Sequence, residues 1–153
     1  IVGLGPAAYT AALYCSRYKM SVKLIGAQPG GQVAASGEID NYPGYVHTTG
    51  TELGAKMMEQ VQKNGTEIVF DTVDSIEKKD DHFELTCSIS GKQEGKIILL
   101  ATGTKHRKLG VPGEEEFYGK GETYCATCDG MFYKDKVVAI VGAGDSAAEA
   151  ALY

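Results

Sequence analysis

The sequence is poor in features that mark several other kinds of protein. It has no tryptophan, three histidines and four prolines among its 153 residues. The longest apolar run, residues 97–101, is far shorter than the roughly 20 residues of a membrane-spanning helix. A net charge of −5 argues against a surface that binds nucleic acid. The composition therefore predicts no membrane and no nucleic-acid partner.

Glycine, in contrast, is abundant, with 20 residues that form no repeat. Two glycine-rich turns share the pattern Gly-x-Gly-x-x-Ala between a predicted strand and a predicted helix: Gly3-Leu4-Gly5-Pro6-Ala7-Ala8 and Gly142-Ala143-Gly144-Asp145-Ser146-Ala147. In this pattern the glycines let the backbone turn tightly against a pyrophosphate, and the helix N-terminus stabilises its charge. One such turn alone is a weak signal. Two in one chain predict two dinucleotide-binding sites.

The first turn lacks one usual element. An acidic residue about 20 positions further on normally binds the ribose, but here the strand ends in Ile25-Gly26-Ala27-Gln28. Either another segment holds the ribose or Gln28 contributes. The matching position of the second site lies beyond Tyr153, so the sequence alone does not distinguish NADPH from NADH.

Little sequence stands before the first turn or after the second. A strand of about five residues usually precedes such a turn, but only Ile1 and Val2 precede Gly3. We therefore predict that the chain is an internal piece of a longer enzyme. No export signal is visible, and four cysteines without one favour a reducing cytoplasm.

The first two thirds of the chain predict an α/β pattern followed by an antiparallel meander. We expect a helix from the first turn to about Tyr18, a strand at 22–25, a loop at 33–50, a helix capped by Thr51 and ending near Asn64, and a strand at 67–70. Further strands at 73–78, 83–89 and 95–101 form the predicted meander. The continuous apolar residues 97–101 predict burial on both faces.

A second nucleotide-binding unit is predicted after the linker-like residues 110–113. Glu114 begins a short acidic helix, because acidic side chains suit a helix N-terminus. Residues 136–141 are predicted to form a strand. The second glycine-rich turn follows, and a helix is expected from Ala148 onward.

The motif that indicates redox chemistry is Cys125-Ala126-Thr127-Cys128, followed by Asp129 and Gly130. Two thiols at this spacing can close into a disulfide and reopen. Zinc binding is one alternative, but zinc needs four ligands, and the other cysteines, Cys15 and Cys87, are isolated. Unreactive buried thiols are another alternative.

Asp129 is the candidate acid or base beside this pair. When a disulfide is reduced, the sulfur that leaves needs a proton, which a neighbouring carboxyl group can supply. The alternative is that Asp129 only forms a turn before Gly130.

Together these segments resemble the N-terminal half of a low-molecular-weight, bacterial-type thioredoxin reductase. The resemblance covers the whole chain in the family's order, and the Cys-Ala-Thr-Cys-Asp-Gly run is its most specific part. The other matching segments are Gly3-Leu4-Gly5-Pro6-Ala7, Gly30-Gly31-Gln32, Asn41-Tyr42-Pro43-Gly44, Ala101-Thr102-Gly103 and the second glycine-rich turn. Ala150 departs from the family, which often has a second glutamate after Glu149.

The resemblance implies two Rossmann-like dinucleotide-binding domains, both incomplete here. Residues 1–110 would be the N-terminal part of an FAD domain with an added antiparallel meander, and 111–153 the start of an NADPH domain that carries the cysteine pair. The implied FAD contacts are Gly3, Gly5, Pro6, Ala7, Gly26, Gly30, Gly31, Gln32, Val33, Asn41, Val73, Ala101, Thr102 and Gly103. The implied NADPH contacts are Gly142, Gly144, Asp145, Ser146 and Ala147.

The resemblance also implies a homodimeric enzyme that passes electrons from NADPH through FAD and the cysteine pair to the disulfide of thioredoxin. Cys128 would face the flavin, Cys125 would attack thioredoxin, and Asp129 would donate the proton. The NADPH domain would rotate, with one hinge at 110–113. A chain that ends at Tyr153 is expected to hold FAD poorly and to be inactive alone.

Other interpretations stay open at this point. One is a related flavoprotein that reduces a peroxiredoxin-type partner or uses ferredoxin. Another, of a different class, is a zinc-binding or non-catalytic nucleotide-binding module.

Overall fold

The computed structural model describes every residue, and the chain divides into two compact units, Ile1–Thr104 and Lys105–Tyr153. The first unit contains α1 (Pro6–Arg17), β1 (Lys23–Gly26), α2 (Gly31–Ala34), β2 (Glu38–Ile39), β3 (Thr48–Thr49), α3 (Gly50–Lys63), β4 (Glu67–Phe70), β5 (Val73–Lys78), β6 (Phe83–Cys87) and β7 (Gly91–Gly95). The second contains α4 (Glu114–Phe117), α5 (Ala126–Asp129), a 3₁₀ helix (Gly130–Tyr133) and α6 (Asp145–Leu152). No helix has both the length and the apolarity that a membrane crossing requires.

A parallel arrangement of strands forms the centre of the first unit. β1 pairs in parallel with β4, and Val2 forms parallel bridges with Ile25 of β1 and with Leu100. The order across the sheet is therefore β4, β1, the segment around Val2 and the segment around Leu100. This is the order with which a doubly wound nucleotide-binding fold begins, and it agrees with the predicted α/β class.

Each face of this sheet has its own core, because successive side chains of a strand point to opposite faces. On one face Leu24 packs with residues of the first turn, α1 and α3: Leu4, Ala8, Tyr9, Ala12 and Val61. On the other face Val2 and Ile25 pack with Leu85 and Cys87 of β6. The helices and the meander thus cover opposite sides of the strands that carry the first glycine-rich turn.

The start of α3 differs from the prediction, because the N-cap is Thr49 rather than Thr51. The Thr49 hydroxyl accepts a hydrogen bond from the Glu52 N–H, and the Glu52 carboxylate accepts one from the Thr49 N–H, both at 3.2 Å. This reciprocal capping box satisfies two backbone donors at once. Thr51 lies inside the helix, which ends at Lys63.

Two further predictions in the first unit were wrong in part. The predicted loop at 33–50 contains the end of α2 and the antiparallel pair β2 and β3. The third strand of the meander is β7, which ends at Gly95, and residues 96–101 do not continue it. Ile97 is 73% exposed and Leu100 66% exposed, so 97–101 is not buried on both faces. This segment pairs with Val2 on one side, and no strand of the chain lies on its other side.

A buried carboxylate joins the end of β4 to the meander. Asp71 accepts hydrogen bonds from the Ser90 N–H and the Ser90 hydroxyl, both at 2.7 Å, and from the Ile89 N–H at 3.1 Å. The Ser90 hydroxyl is the largest of the influences that lower the pKa of Asp71. These bonds hold the turn before β7 against the backbone that leads to Val73.

In the second unit, the structure confirms the short helix that begins at Glu114, whereas the helix after the second glycine-rich turn begins at Asp145 rather than Ala148. The predicted strand at 136–141 is not formed, and Val137 and Val141 are exposed. A strand needs a neighbour that bonds its backbone N–H and C=O groups. The chain contains no second strand in this unit that could supply those bonds.

Candidate active site and nucleotide-binding turns

The first glycine-rich turn lies against the segment at Ala101. Gly3 has φ +124°, and a Cβ atom added there would lie 2.1 Å from the Ala101 carbonyl oxygen. The Val2 carbonyl accepts a hydrogen bond from the Ala101 N–H at 2.8 Å. The structure therefore brings together two of the segments for which the family resemblance implies FAD contacts.

Helix α1 presents free backbone donors at its N-terminus. Its N-cap, Gly5, has an extended backbone and no side-chain cap, and Pro6 occupies the first helical position. The first hydrogen bond of the helix runs from the Tyr9 N–H to the Gly5 carbonyl at 3.0 Å. The N–H groups of Ala7 and Ala8 precede that bond, so they are available to an anionic group such as a phosphate.

The glycine pair at 30 and 31 packs against the same turn. Gly31 has φ +56°, and a Cβ atom there would lie 2.9 Å from the Gly5 Cα. The Gly30 N–H donates to the buried Tyr9 hydroxyl at 3.2 Å. We call Gly3, Gly5, Gly31 and Ala101 the phosphate cradle. Side chains at Gly3 or Gly31 would collide with the backbone of Ala101 or Gly5, so the close packing of these segments requires glycine. A tight glycine turn beside free N–H groups fits a bound pyrophosphate.

The other predicted FAD contacts divide into two groups. Gly26 lies beside the cradle, since a Cβ atom there would lie 2.8 Å from the Leu4 Cγ. Gln32 is in α2, and its side-chain amide donates to the Thr104 carbonyl at 2.8 Å. In contrast, Asn41 is exposed in the connection between β2 and β3, and Val73 packs with the core on the meander side. The structure brings neither of these two into the cradle.

Residues Thr102 and Gly103 follow Ala101 without regular structure and are exposed, and Val33 lies half-buried in α2. Gly103 has φ +68° and open space where a side chain would be. These residues adjoin the cradle along the chain, and their predicted cofactor contacts stay predictions.

We predict that Gly31→Ala weakens FAD binding by about 10-fold or more in the full-length protein. Alanine strains a left-handed backbone by about 1–2 kcal/mol, and its Cβ would also push α2 away from the Gly5 turn. Flavin absorbance after dialysis and titration with FAD measures the loss. Gly65→Ala is the matched control, because Gly65 has φ +83° but open space around it. Equal FAD affinity of the two variants would contradict the role of the cradle.

Cys125 and Cys128 are joined in a disulfide, with their Cα atoms 5.2 Å apart. Cys125 is the N-cap of α5, and its Sγ accepts a hydrogen bond from the Cys128 N–H at 3.2 Å. The Thr127 hydroxyl lies 3.4 Å from the same Sγ. A sulfur with these neighbours is favoured as a thiolate once the disulfide opens, because hydrogen-bond donors and a helix N-terminus stabilise its negative charge.

Asp129 is the last residue of α5 and is half-buried. Its Oδ2 accepts a short hydrogen bond from the Thr123 hydroxyl. The Thr123 oxygen in turn accepts a hydrogen bond from the Cys125 N–H at 3.1 Å. The sequence indicated Asp129 through its place beside the cysteines, but no motif indicated Thr123.

A second carboxylate lies at the linker, at a residue that the sequence indicated only as the start of a short helix. Glu114 is buried and accepts hydrogen bonds from the Leu109 and Gly110 N–H groups at 2.8 and 2.7 Å, and from the Tyr124 hydroxyl. The bond with Tyr124 is the main cause that lowers the pKa of Glu114, and it raises the pKa of Tyr124 to about 12. Tyr124 also stacks on His106, with ring centroids 5.1 Å apart. The backbone at Leu109 and Gly110 is thereby tied to the residue that precedes Cys125.

The second glycine-rich turn repeats features of the first. Gly142 has φ +147°, and a Cβ atom there would lie 2.9 Å from the Ala147 Cβ. Gly144 is the N-cap of α6, with an extended backbone and no side-chain cap. Asp145 and Ser146 begin the helix, so the turn can accept a pyrophosphate in the same manner. Residues 142–147 include no basic side chain that could bind the 2′-phosphate of NADPH.

The remaining two thiols belong to the first unit. Cys15 is half-buried in α1 and Cys87 is buried in β6, and both are free. No group of three or more histidine, cysteine, aspartate or glutamate side chains is arranged to hold a metal ion.

Comparison with known proteins defines the class. Residues 1–153 match the family described as Pyridine nucleotide-disulphide oxidoreductase, and the chain belongs to this family. It is 41% identical over 155 aligned positions to a thioredoxin reductase of Bacillus subtilis (strain 168), covering 100% of this chain and 48% of that protein. It is also 45% identical over 155 positions to a protein of Pseudomonas fluorescens named Glucosaminate ammonia-lyase, with the same coverage of both chains.

Among solved structures, the fold is similar to thioredoxin reductase from Streptococcus pyogenes MGAS5005. The TM-score is 0.86 at 44% sequence identity, covering 99% of this chain and 50% of that one. The chain therefore spans about half the length of the relatives it matches. The resemblance to the N-terminal half of a thioredoxin reductase and the predicted fold class are both confirmed.

Proposed function

We propose that the chain is part of a flavoenzyme that moves electrons from NADPH through FAD to the Cys125–Cys128 disulfide and then to the disulfide of thioredoxin. The disulfide next to Asp129 is the observation that carries this proposal. Two glycine-rich turns and the thioredoxin reductases among its relatives support it. Following the family resemblance, we propose that the enzyme acts as a homodimer in the cytoplasm.

The phosphate cradle of the first unit would hold the FAD pyrophosphate, with the N–H groups of Ala7 and Ala8 as donors. The turn from Gly142 to Ala147 would hold the pyrophosphate of NADPH. We assign residues 1–110 to the FAD domain and 111–153 to the NADPH domain. When bound, FAD supplies the two electrons that the disulfide takes up.

Side chains of this chain supply the proton and carry out the disulfide exchange. Reduction breaks the Cys125–Cys128 bond, adds two electrons and takes one proton from Asp129, so that one thiol and one thiolate result. The donors around Cys125 favour its thiolate, which is the nucleophilic form. We therefore propose that Cys125 attacks the disulfide of the partner.

Exchange then returns the pair to its starting state. The Cys125 thiolate forms a bond to one sulfur of thioredoxin, and the second thioredoxin sulfur leaves with the electron pair and takes up a proton. Cys128 next returns its proton to Asp129 and attacks Cys125 in this mixed disulfide, and the thioredoxin sulfur that leaves takes up a proton from water. The Cys125–Cys128 bond re-forms, and thioredoxin is released as a dithiol.

The alternatives are weaker on specific grounds. Elimination of ammonia gives no electrons to a disulfide, so the cysteine pair favours a reductase over the activity named for the Pseudomonas relative. An enzyme that takes electrons from ferredoxin needs no second dinucleotide turn, whereas this chain has one at 142–147. A peroxiredoxin-type partner differs only at the last exchange step, so assays with both partners distinguish it.

We predict that the full-length protein is yellow and that NADPH bleaches it under anaerobic conditions. Stopped-flow absorbance of the flavin measures the rate with NADPH, with NADH and with reduced ferredoxin. Faster bleaching with NADPH is expected. Equal rates with NADH would overturn the NADPH assignment, and bleaching by ferredoxin alone would favour the ferredoxin-dependent relative.

A further inference from the structure

We propose that Thr123 is a positioning residue that orients the Asp129 carboxyl group for its proton transfer to the cysteine pair. The inference rests on the proposed function, because it assigns Thr123 a part in the disulfide-reduction step. Thr123 itself makes no hydrogen bond to either sulfur and acts through Asp129.

The hydrogen bonds of Thr123 have a defined direction. A hydroxyl group has one proton to donate and lone pairs that accept. The Cys125 N–H donates to Thr123 Oγ1 at 3.1 Å, so this bond uses a lone pair and leaves the proton free. Oδ2 of Asp129 accepts this proton, both when the carboxyl group is ionised and when its own proton is on Oδ1.

This arrangement leaves one carboxyl oxygen for chemistry. The backbone of Asp129 is held by the bond from its N–H to the Cys125 carbonyl at 3.0 Å. The bond from Thr123 to Oδ2 then fixes the rotation of the side chain. Oδ1 makes no hydrogen bond within the chain, so it is the oxygen that can carry and release the proton.

The bond also suits the change of charge in the reaction. As the disulfide takes up two electrons and opens, the proton on Oδ1 moves to Cys128, Cys125 is left as the thiolate, and Asp129 becomes a carboxylate. Hydrogen bonds to an ionised group are about twice as strong as neutral ones. Thr123 therefore does two things: it orients the Asp129 carboxyl group, and it stabilises the carboxylate that proton transfer produces.

The same threonine is linked to the cysteine pair through the backbone. Its oxygen holds the N–H of Cys125, the residue at which α5 begins. One hydroxyl thus connects the start of the redox helix to the carboxyl group at its end.

The test is a double-mutant cycle in the full-length, FAD-loaded protein. Thr123→Val removes the hydroxyl at nearly constant shape, Thr123→Ser retains it, and each is combined with Asp129→Asn. The rate of electron transfer from flavin to disulfide is measured by stopped flow, with kcat and KM for thioredoxin. Thr86→Val, at an exposed position of β6, is the matched control. Thr123→Ala replaces Thr123→Val if the valine variant does not fold.

We expect Thr123→Val to slow disulfide reduction by about 10- to 100-fold, as a small displacement of a reacting group does. The KM for thioredoxin and the rate of flavin reduction by NADPH should be unchanged, and Thr123→Ser should restore the rate. In the Asp129→Asn background Thr123→Val should have no further effect. An equal slowing in both backgrounds, or no slowing in either, would overturn the proposal. A wild-type protein that reduces no disulfide would instead overturn the proposed function.

Discussion

Cys128→Ser is expected to lower the reduction of thioredoxin by at least about 10³-fold, since residues that act as one catalytic unit lose nearly all activity together. The variant cannot form the Cys125–Cys128 disulfide, so electrons have no sulfur acceptor within the chain. Flavin reduction by NADPH should continue at the wild-type rate, because it precedes the disulfide step. Steady-state turnover and anaerobic stopped flow separate the two steps.

The same variant tests the roles of the two sulfurs. Cys125 remains in Cys128→Ser, so it should form a mixed disulfide with thioredoxin that no second thiol can release. Cys125→Ser should form no such adduct with its remaining thiol. Non-reducing electrophoresis detects the difference, and Cys15→Ser serves as the control, because Cys15 is a free thiol of α1. Retained thioredoxin reduction in Cys128→Ser would contradict the whole electron path.

Asp129→Asn is expected to slow the reduction of the disulfide by about 10²- to 10⁴-fold, the usual contribution of a positioned acid. An amide keeps the size of the carboxyl group but has no proton to give, so the leaving sulfur must take its proton from water. FAD content and flavin reduction by NADPH should be unchanged.

The control for this substitution is Asp135→Asn. Asp135 is exposed and has φ +61°, a conformation that asparagine tolerates. If the two variants reduce the disulfide at equal rates, Asp129 is not the proton donor and only forms the turn before Gly130.

The sequence was informative where a feature depends on neighbouring residues. The glycine-rich turn at Gly3, the short helix at Glu114 and the pairing of Cys125 with Cys128 all involve residues close together in the chain. Backbone conformation and helix capping follow from such local patterns. The capping box at Thr49 and Glu52 is also a local pattern, yet the prediction from apolar spacing places the N-cap of α3 at Thr51, two residues too late.

Features that depend on distant partners were not predictable in the same way. Residues 136–141 have an apolar strand pattern, but a strand forms only where another strand bonds its backbone. Residues 97–101 are apolar enough for a buried strand, yet Ile97 and Leu100 are mostly exposed because only Val2 pairs with this segment. Hydrophobic periodicity indicates which side chains of a segment are suited to burial. It does not show whether another part of the chain packs over them.

The side-chain networks around the redox pair were the least predictable part of the site. Glu114 bonds the backbone of Leu109 and Gly110 and the hydroxyl of Tyr124, and no motif describes that arrangement. It also bears on the hinge expected at 110–113, because the Gly110 N–H is held by a buried carboxylate. The position of the hinge stays a prediction.

The central claim is that electrons pass through Cys125 and Cys128. The most direct measurement is alkylation of the full-length protein with a thiol reagent after one equivalent of NADPH, followed by peptide mass spectrometry. The account predicts that Cys125 and Cys128 become labelled together, and that oxidised thioredoxin added before the reagent prevents the labelling. Thioredoxin reduction while both cysteines stay unlabelled at every stage would contradict it.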